Sequence, residues 1–300
     1  MWPGRGLHAP GVPACFFLGG QTRLSSPRAV PNVPSTDPLA PPLRRQAVVL
    51  CGGLATRMYP RTRDVPKFLL PIAGRPFGHH LLARLAEASY EEVVLCIGHL
   101  GDAIREDIGD GAAFGLRVVV ADEGETRLGT AGALRRALPY LGETFLLTYG
   151  DSYLPFDYAA PLTDLEAHPE ARGTMSVYRN EDRWDDSNCE IGASRVIRYQ
   201  KRKPGEARDV VDAWGSGSPD GALRPKPRLD HIDYGAIALR REVVAALPEG
   251  PNDLAPVLTA LAAAGALRAL VVTQRFYEIG SEAGFHELEA HLGARAEVST

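Results

Sequence analysis

Cysteine is scarce in this chain of 300 residues, and its spacing excludes the usual uses of cysteine pairs. The four cysteines, Cys15, Cys51, Cys96 and Cys189, form no C-x-x-C pair. This pattern argues against a disulfide-stabilised scaffold and against a cysteine-type zinc site. A reducing compartment is the simpler interpretation, and we predict a cytoplasmic location.

Long apolar runs and an excess of positive charge are also missing. The apolar runs, such as residues 14–18, fall far short of the ~20 residues that cross a bilayer, so we expect no membrane partner. Lys and Arg total 33 against 37 Asp and Glu, which gives a net charge of −4. That balance argues against a nucleic-acid partner bound through a basic surface. The oligomeric state is left open, and a homo-oligomer is compatible with the sequence.

Residues 1–44 differ in composition from the rest of the chain, because they hold nine of the 24 prolines and a single acidic residue, Asp37. Proline removes a backbone donor and restricts φ, so we predict a disordered tail over residues 1–44 and one domain over residues 45–295. An Arg-rich, acid-poor start also fits a targeting peptide, but such dense prolines would break its amphipathic helix. Residues 205–229, rich in Gly, Pro, Ser and charge, predict a mobile loop inside the domain.

From residue 46 onward, apolar runs that end in glycine alternate with helical patterns. Continuous apolar runs are typical of strands buried on both faces. The predicted strands are residues 47–51, 92–97, 116–120, 145–149, 174–178, 190–199, 232–239 and 267–272. The predicted helices are residues 79–88, 102–108, 130–141, 252–264 and 282–292. This alternation predicts an α/β fold with a mixed, mostly parallel sheet and helices on both faces, whose ligands bind beyond the carboxyl ends of the strands.

The turn after the first strand, residues 52–67, carries the strongest chemical signal. Gly52 and Gly53 let backbone N–H groups approach an anion closely. Arg57 adds a planar fork of donors for phosphate oxygens, and Lys67 adds a point charge. The turn contains neither the G-x-x-x-x-G-K-[ST] motif nor G-x-G-x-x-G, so a P-loop and a dinucleotide fingerprint are not indicated. The combination suits a triphosphate.

The order of Gly-Gly, Thr-Arg, Pro, Thr and Pro-Lys in this turn resembles the signature of the sugar-1-phosphate nucleotidylyltransferases, also called NDP-sugar pyrophosphorylases. The resemblance covers roughly residues 46–292. It includes residues 128–134, similar to the family's base- and sugar-side loop, and Gly150-Asp151, similar to its metal-binding strand end. Residues 149–154, 199–201 and 231–235 resemble the branch of heptose and mannose 1-phosphate guanylyltransferases.

The resemblance implies a Rossmann-like fold of the GT-A type and a Mg²⁺-dependent reaction. In that reaction a sugar 1-phosphate attacks the α-phosphorus of a nucleoside triphosphate and releases pyrophosphate. Mg²⁺ would lie on Asp151 and Glu278, and Arg57, Lys67 and Lys201 would act as the catalytic cations. The implied nucleotide-binding residues are Leu50, Gly52, Gly53, Ala55, Thr56, Arg57, Lys67, Glu123, Gly129 and Thr130. The implied sugar-phosphate-binding residues are Gly150, Glu190, Lys201, Asp233 and Gly235.

Two positions depart from the family pattern: Ala55 stands where glycine is usual, and Glu278 stands where the second metal-binding aspartate is usual. The branch resemblance favours GTP, whose guanine donors would suit a carboxylate such as Glu123. Uridine, thymidine and cytidine nucleotides remain open, and the expected acceptor is a heptose, mannose or cyclitol 1-phosphate.

Two alternatives stay open at the level of the sequence. One is a non-catalytic paralogue that binds a sugar nucleotide and regulates a partner enzyme. The other is a dinucleotide oxidoreductase, whose glycine spacing is absent. The presence of Arg57, Lys67 and Asp151 favours catalysis, because a regulatory paralogue is expected to lose such residues.

Overall fold

The computed structural model of the protein describes residues 45–124, 126–201 and 229–298. The predicted tail over residues 1–44 lies outside the described residues, as does the predicted loop over residues 205–229 apart from Leu229. Both therefore stay predictions.

The described residues form a nine-stranded mixed sheet, two small two-stranded sheets and helices on both faces of the large sheet. The strands are β1 (Gln46–Leu50), β2 (Pro71–Ile72), β3 (Arg75–Pro76), β4 (Glu92–Ile97), β5 (Arg117–Asp122), β6 (Thr144–Tyr149), β7 (Ser152–Tyr153), β8 (Gly173–Arg179), β9 (Cys189–Gly192), β10 (Arg195–Tyr199), β11 (His231–Arg240), β12 (Leu267–Val272) and β13 (Tyr277–Glu278). The helices are α1 (Phe77–Glu87), α2 (Gly101–Ile108), α3 (Gly129–Ala137), α4 (Ala160–Glu166), α5 (Arg241–Ala245), α6 (Leu254–Ala263) and α7 (Glu282–Val298).

The strand order of the large sheet is β5-β4-β1-β6-β11-β8-β12-β10-β9. Strands β5, β4, β1 and β6 are all parallel, as the alternation of strands and helices predicts. Strand β11 runs antiparallel to both β6 and β8, and only β12 beside β8 restores a parallel pair in the other half. The predicted α/β fold with a mixed sheet is confirmed, but parallel pairing is concentrated in the first half of the chain.

The alternation of side chains along each central strand supplies two hydrophobic cores, one on each face of the sheet. Ala47 and Val49 of β1 point into the first core, where α1, α4 and α7 pack, and Val48 points into the second, where α3 and α6 pack. All three are fully buried. No helix within the described ranges is both long and apolar enough to cross a membrane.

Two element boundaries differ from the sequence prediction for local reasons. The predicted strand 190–199 is a hairpin of β9 and β10, because Ala193 and Ser194 adopt left-handed backbone conformations that reverse the chain. The predicted helix 130–141 ends as an α-helix at Ala137 and continues as a 3-10 turn over Leu138–Tyr140. Pro139 lacks the N–H that would continue the α-helical pattern.

Candidate functional site

A cleft of about 260 Å³ opens at the carboxyl ends of β1, β4 and β6. Its lining residues are Leu50, Cys51, Gly52, Gly53, Leu54, Ala55, Lys67, Phe68, Cys96, Glu123, Arg127, Gly129, Thr130, Ala133, Tyr149, Gly150 and Asp151. Eight of the ten predicted nucleotide-binding residues therefore line one cleft. The other two, Thr56 and Arg57, lie in a 3-10 turn next to it and are not part of the lining.

The glycine turn is held by hydrogen bonds to the carbonyl of Ala55. This oxygen accepts from Met58 N at 2.9 Å and from Thr62 Oγ1 at 2.8 Å. Thr62 is almost fully buried, so its hydroxyl fixes the turn from inside. Ala55 itself has φ +52° and ψ +37°, a left-handed conformation that is unfavourable for a residue with a side chain. Glycine, which the family pattern has here, would adopt it without that cost.

Lys67 and Asp151 meet at the floor of the cleft. Lys67 Nζ lies 2.9 Å from Asp151 Oδ2, although 84 residues separate them in sequence. Gly150, just before Asp151, lets the ends of β1 and β6 approach closely. Its N–H donates to Leu50 O at 2.8 Å, and a methyl group on it would lie 2.6 Å from Cys51 Cβ. Glycine at this position therefore fixes where Asp151 emerges.

Glu278 joins this pair through a short two-stranded sheet. Strand β13 pairs with β7, which places Glu278 opposite Ser152, and Ile279 N donates to Asp151 O at 2.9 Å. Burial raises the pKa of Glu278 to about 7, and the neighbouring charge of Asp151 adds to the rise. The structure thus brings the two predicted metal ligands together, from segments more than 120 residues apart along the chain.

Positive charge faces the two carboxylates. Lys67 and Arg57 both lower the pKa of Glu278, against the effect of burial. A methyl group on Gly280 would lie 3.2 Å from Glu278 Oε1 and 3.4 Å from Arg57 Nη2, so both side chains border this glycine. Although Arg57 does not line the cleft, its guanidinium is thus directed toward the carboxylates.

The donor set fits a hard cation better than a soft one. Among residues 45–124, 126–201 and 229–298 no group of three or more His, Cys, Asp and Glu side chains could hold a metal ion. The candidate metal ligands are therefore a pair of carboxylates, Asp151 and Glu278. Mg²⁺ is commonly bound by one or two carboxylates, with waters and substrate phosphates completing its coordination. The residues present therefore fit Mg²⁺.

The loop Leu128-Gly129-Thr130 forms another wall of the cleft, and Glu123 ties it to the glycine turn. Glu123 Oε2 accepts from Leu128 N at 2.9 Å. A methyl group on Gly52 or on Gly98 would overlap Glu123 Oε1, so the carboxylate lies packed between these glycines. Burial raises the pKa of Glu123. One of its oxygens is thus committed to the protein, and sequence reasoning had assigned the side chain to the nucleotide alone.

Of the five predicted sugar-phosphate residues, Gly150 lines the cleft and the other four do not. Asp233 and Gly235 belong to a bulge in β11, where Gly235 has φ +93° and donates its N–H to Asp233 Oδ1 at 2.9 Å. Burial raises the pKa of Asp233 to about 6, and Lys201 acts in the opposite direction. Glu190 lies in β9 and pairs with Arg198, at 3.5 Å between Oε2 and Nε. Glu190 is not part of the cleft lining.

The sequence analysis did not identify residues 250–253, which contact a wall of the cleft without lining it. Residues 250–253 lie against the Leu128–Thr130 loop, and the signal for them was Asn-Asp before an apolar helical run, a common helix N-cap. A second cavity of about 610 Å³ adjoins the cleft and shares Leu54, Glu123 and Arg127 with it. Residues 98–103, the turn after β4 and the start of α2, line this second cavity.

Comparison with known proteins identifies the domain. Residues 46–187 match the family model described as Nucleotidyl transferase. The chain carries a nucleotidyl transferase domain. The resemblance seen in the glycine turn is thereby confirmed, and the domain contains the glycine turn, the Leu128–Thr130 loop and Asp151. Glu278 and Asp233 lie beyond the matched residues.

Curated relatives and solved structures agree with the domain. The chain is 36% identical over 126 residues to N-acetylmuramate alpha-1-phosphate uridylyltransferase of Neisseria meningitidis, covering 42% of this chain and 54% of that protein. It is 30% identical over 204 residues to mannose-1-phosphate guanylyltransferase of Mycobacterium tuberculosis, covering 68% and 51%. The chain thus spans about half the length of these two relatives. The crystal structure of HddC from Yersinia pseudotuberculosis shares the fold, with TM-score 0.63 and 20% identity over 83% of this chain and 99% of that one.

Proposed function

We propose that this protein transfers a nucleotidyl group from a nucleoside triphosphate to a sugar 1-phosphate and releases pyrophosphate. The observation that carries the proposal is the contact of Lys67 with Asp151 beside the glycine turn, with Arg57 and Glu278 both next to Gly280. Lys67 and Asp151 in the cleft, with Arg57 and Glu278 beside it, can bind a triphosphate together with a hard metal ion. The relatives include both guanylyltransferases and uridylyltransferases of sugar 1-phosphates.

The reaction joins two anions, so charge neutralisation and alignment are its main demands. An oxygen of the sugar phosphate attacks the α-phosphorus, a new P–O bond forms, and the bond to the departing pyrophosphate breaks. The attacking phosphate is already ionised, so no general base is required. Lys67 and Arg57 would hold the triphosphate and stabilise the charge that develops on the leaving pyrophosphate. Lys201, near Asp233, would neutralise the acceptor phosphate.

Nucleotidyltransferases of this family typically use a divalent metal ion, and we propose Mg²⁺ on Asp151 and Glu278. When bound, the ion would neutralise phosphate oxygens and orient them. Lys67 already offsets part of the carboxylate charge, because it lies 2.9 Å from Asp151.

We propose GTP as the preferred nucleotide and a heptose, mannose or cyclitol 1-phosphate as the acceptor. The support is the likeness of residues 149–154, 199–201 and 231–235 to the guanylyltransferase branch. A cytoplasmic location is proposed from the cysteine pattern. In the part of the chain that the structure describes, Cys51, Cys96 and Cys189 are free thiols.

Pyrophosphate release tests the proposal directly. The full chain is incubated with Mg²⁺, each of the common nucleoside triphosphates and a panel of sugar 1-phosphates. Turnover with at least one pair, lost on chelation of the metal, supports the proposal, and the fastest nucleotide decides the choice of base. Binding of a nucleotide sugar without turnover of any pair would contradict it and favour the regulatory alternative.

A further inference from the structure

The Leu128–Thr130 loop is fastened to the segment that begins helix α6. Thr130 Oγ1 donates to Asp253 Oδ1 at 2.6 Å. Leu254 N donates to Thr130 Oγ1 at 2.8 Å and to Asp253 Oδ1 at 3.1 Å. A hydroxyl has one proton to donate, and Thr130 gives that proton to Asp253. The Thr130 side chain is thus engaged by the protein, although it lines the cleft.

Backbone contacts join the same two segments. Asn252 N donates to Leu128 O at 2.8 Å, and Asn252 O accepts from Ala131 N at 3.0 Å and from Gly132 N at 3.3 Å. These two N–H groups belong to the first turn of α3, where a helix has no internal acceptors. Because Asn252 O accepts from them, the N–H groups of Ala131 and Gly132 are engaged by the protein and hold the start of α3 against residues 250–253.

The two segments touch so closely that neither tolerates extra atoms. Gly129 has φ +70°, and a methyl group on it would lie 2.6 Å from Asn252 O. A methyl group on Gly132 would lie 2.6 Å from Gly250 O. Gly129 of the loop and Gly132 of α3 thus allow the close contact with residues 250–253, and a shift of that segment must shift the loop.

We propose that Asp253 is a positioning residue for the nucleotide. It would hold the Leu128–Thr130 loop in place through Thr130, without touching the nucleotide itself. The proposal rests on the proposed nucleotide function of the cleft, and Asp253 lies outside residues 46–187, which the family model matches. The contacts that join Lys67, Asp151 and Glu278 do not involve this loop. Loss of the Asp253 contact should therefore weaken nucleotide binding and leave the chemical step intact.

Two substitutions at one position test this. Asp253→Ala removes the acceptor for Thr130, whereas Asp253→Asn keeps an oxygen that can accept from Thr130 and Leu254 N. We expect Asp253→Ala to raise the KM for the nucleoside triphosphate about three- to tenfold, the effect of one lost hydrogen bond. The kcat and the KM for the sugar 1-phosphate should stay within about twofold of the wild-type values. Asp253→Asn should restore most of the nucleotide KM.

Thr130→Val tests whether the effect passes through the Thr130 hydroxyl. It should raise the same KM, and the double variant with Asp253→Ala should be no worse than the more affected single variant, because the two share one interaction. Thr259→Val is the matched control for helix stability. Thr259 lies in the middle of α6 and donates to Tyr199 O at 3.1 Å. It makes no hydrogen bond to the Leu128–Thr130 loop among the described residues. The substitution should lower the melting temperature and leave the KM for the nucleoside triphosphate unchanged.

The proposal is wrong if Asp253→Ala lowers the melting temperature but leaves the nucleotide KM at the wild-type value. It is also wrong if the effects of Thr130→Val and Asp253→Ala on the nucleotide KM add up in the double variant. Direct titration of the wild type and the variants with the preferred nucleoside triphosphate separates this result from a failure of the proposed function. A wild type that binds nucleotide without turnover would refute the function, and the same variants would still show whether Asp253 sets nucleotide affinity.

Discussion

The two halves of the large sheet contribute to the cleft in different ways. In the parallel half, β1, β4 and β6 end at one edge, and the residues that follow β1 and β6 line the cleft together with Cys96 of β4. In the antiparallel half, β11 contributes through a bulge at Asp233 and Gly235, and the segment before α6 contributes by holding a loop of the first half. The comparison teaches that the parallel half supplies the lining of the cleft, whereas the other half supplies residues that border it and the segment that holds the Leu128–Thr130 loop.

The largest expected effect tests the first part of that comparison. Asp151→Asn removes the charge that faces Lys67 at the end of β6, and we expect turnover to fall by about a thousandfold, since such charged contacts act on the transition state. Circular dichroism should show an unchanged fold. Glu143→Gln, at an exposed acidic residue just before the amino end of β6, is the matched control and should keep full activity. An Asp151→Asn variant with wild-type turnover would contradict the metal assignment.

The second prediction concerns stability in the antiparallel half. Asp164 of α4 accepts from Arg268 Nε at 2.7 Å and from Thr174 Oγ1 at 2.8 Å. Burial pushes the pKa of Asp164 up, but the hydrogen bonds from Arg268 and Thr174 outweigh it, and the pKa lies below its ordinary value. Asp164→Asn should cost about 2 to 3 kcal/mol at pH 7, because Arg268 loses its partner.

The sign of its pH dependence follows from the lowered pKa. The stabilisation by Asp164 is fully present above the unfolded-state pKa of the carboxyl and is lost as the pH falls through the folded-state value. The difference in unfolding free energy between wild type and Asp164→Asn should therefore shrink toward pH 3 in urea titrations. A difference that grows on acidification would count against the assigned ion pair.

The third prediction uses the bulge of β11. Burial raises the pKa of Asp233 to about 6, so the charged carboxylate destabilises the fold at neutral pH. The stability that comes with the protonated form is present below the unfolded-state pKa and is lost as the pH rises through about 6. Asp233→Asn, which can still accept from Gly235 N, should raise the unfolding free energy by about 1 to 2 kcal/mol at pH 8.

At pH 4 the same substitution should have little effect on stability, because Asp233 is then protonated in the folded protein. Thermal unfolding at both pH values measures the difference. Equal melting temperatures for Asp233→Asn and wild type at pH 8 would show that the carboxylate is not buried as described.

The smallest expected effect concerns the glycine turn itself. Ala55 has φ +52°, so Ala55→Gly should remove local strain and change the unfolding free energy by at most about +1 kcal/mol, since glycine also gains entropy in the unfolded chain. Ala86→Gly in α1 is the matched control and should destabilise by about 1 kcal/mol. Destabilisation of equal size by both variants would show that Ala55 is not strained.

Much of the parallel half could be predicted from the sequence, because its signals are local. A continuous apolar run ending at Gly52-Gly53 indicated β1 and the turn after it, and Gly150-Asp151 indicated the end of β6. The hairpin of β9 and β10 could not be predicted in this way, since it depends on the left-handed conformations of Ala193 and Ser194. Thr62 belongs to the motif of residues 52–67, but only the structure shows that it is buried and donates to Ala55 O.

By itself, the sequence determined the glycine turn, the family of its domain and the residue types that meet a triphosphate, because these depend on neighbours along the chain. Only the tertiary structure decided that Lys67 meets Asp151, that Glu278 comes beside Arg57, and that Asp253 binds Thr130. Those contacts join segments about 80 to more than 200 residues apart. Their geometry comes from the packing of helices on both faces of the sheet, which no local pattern encodes.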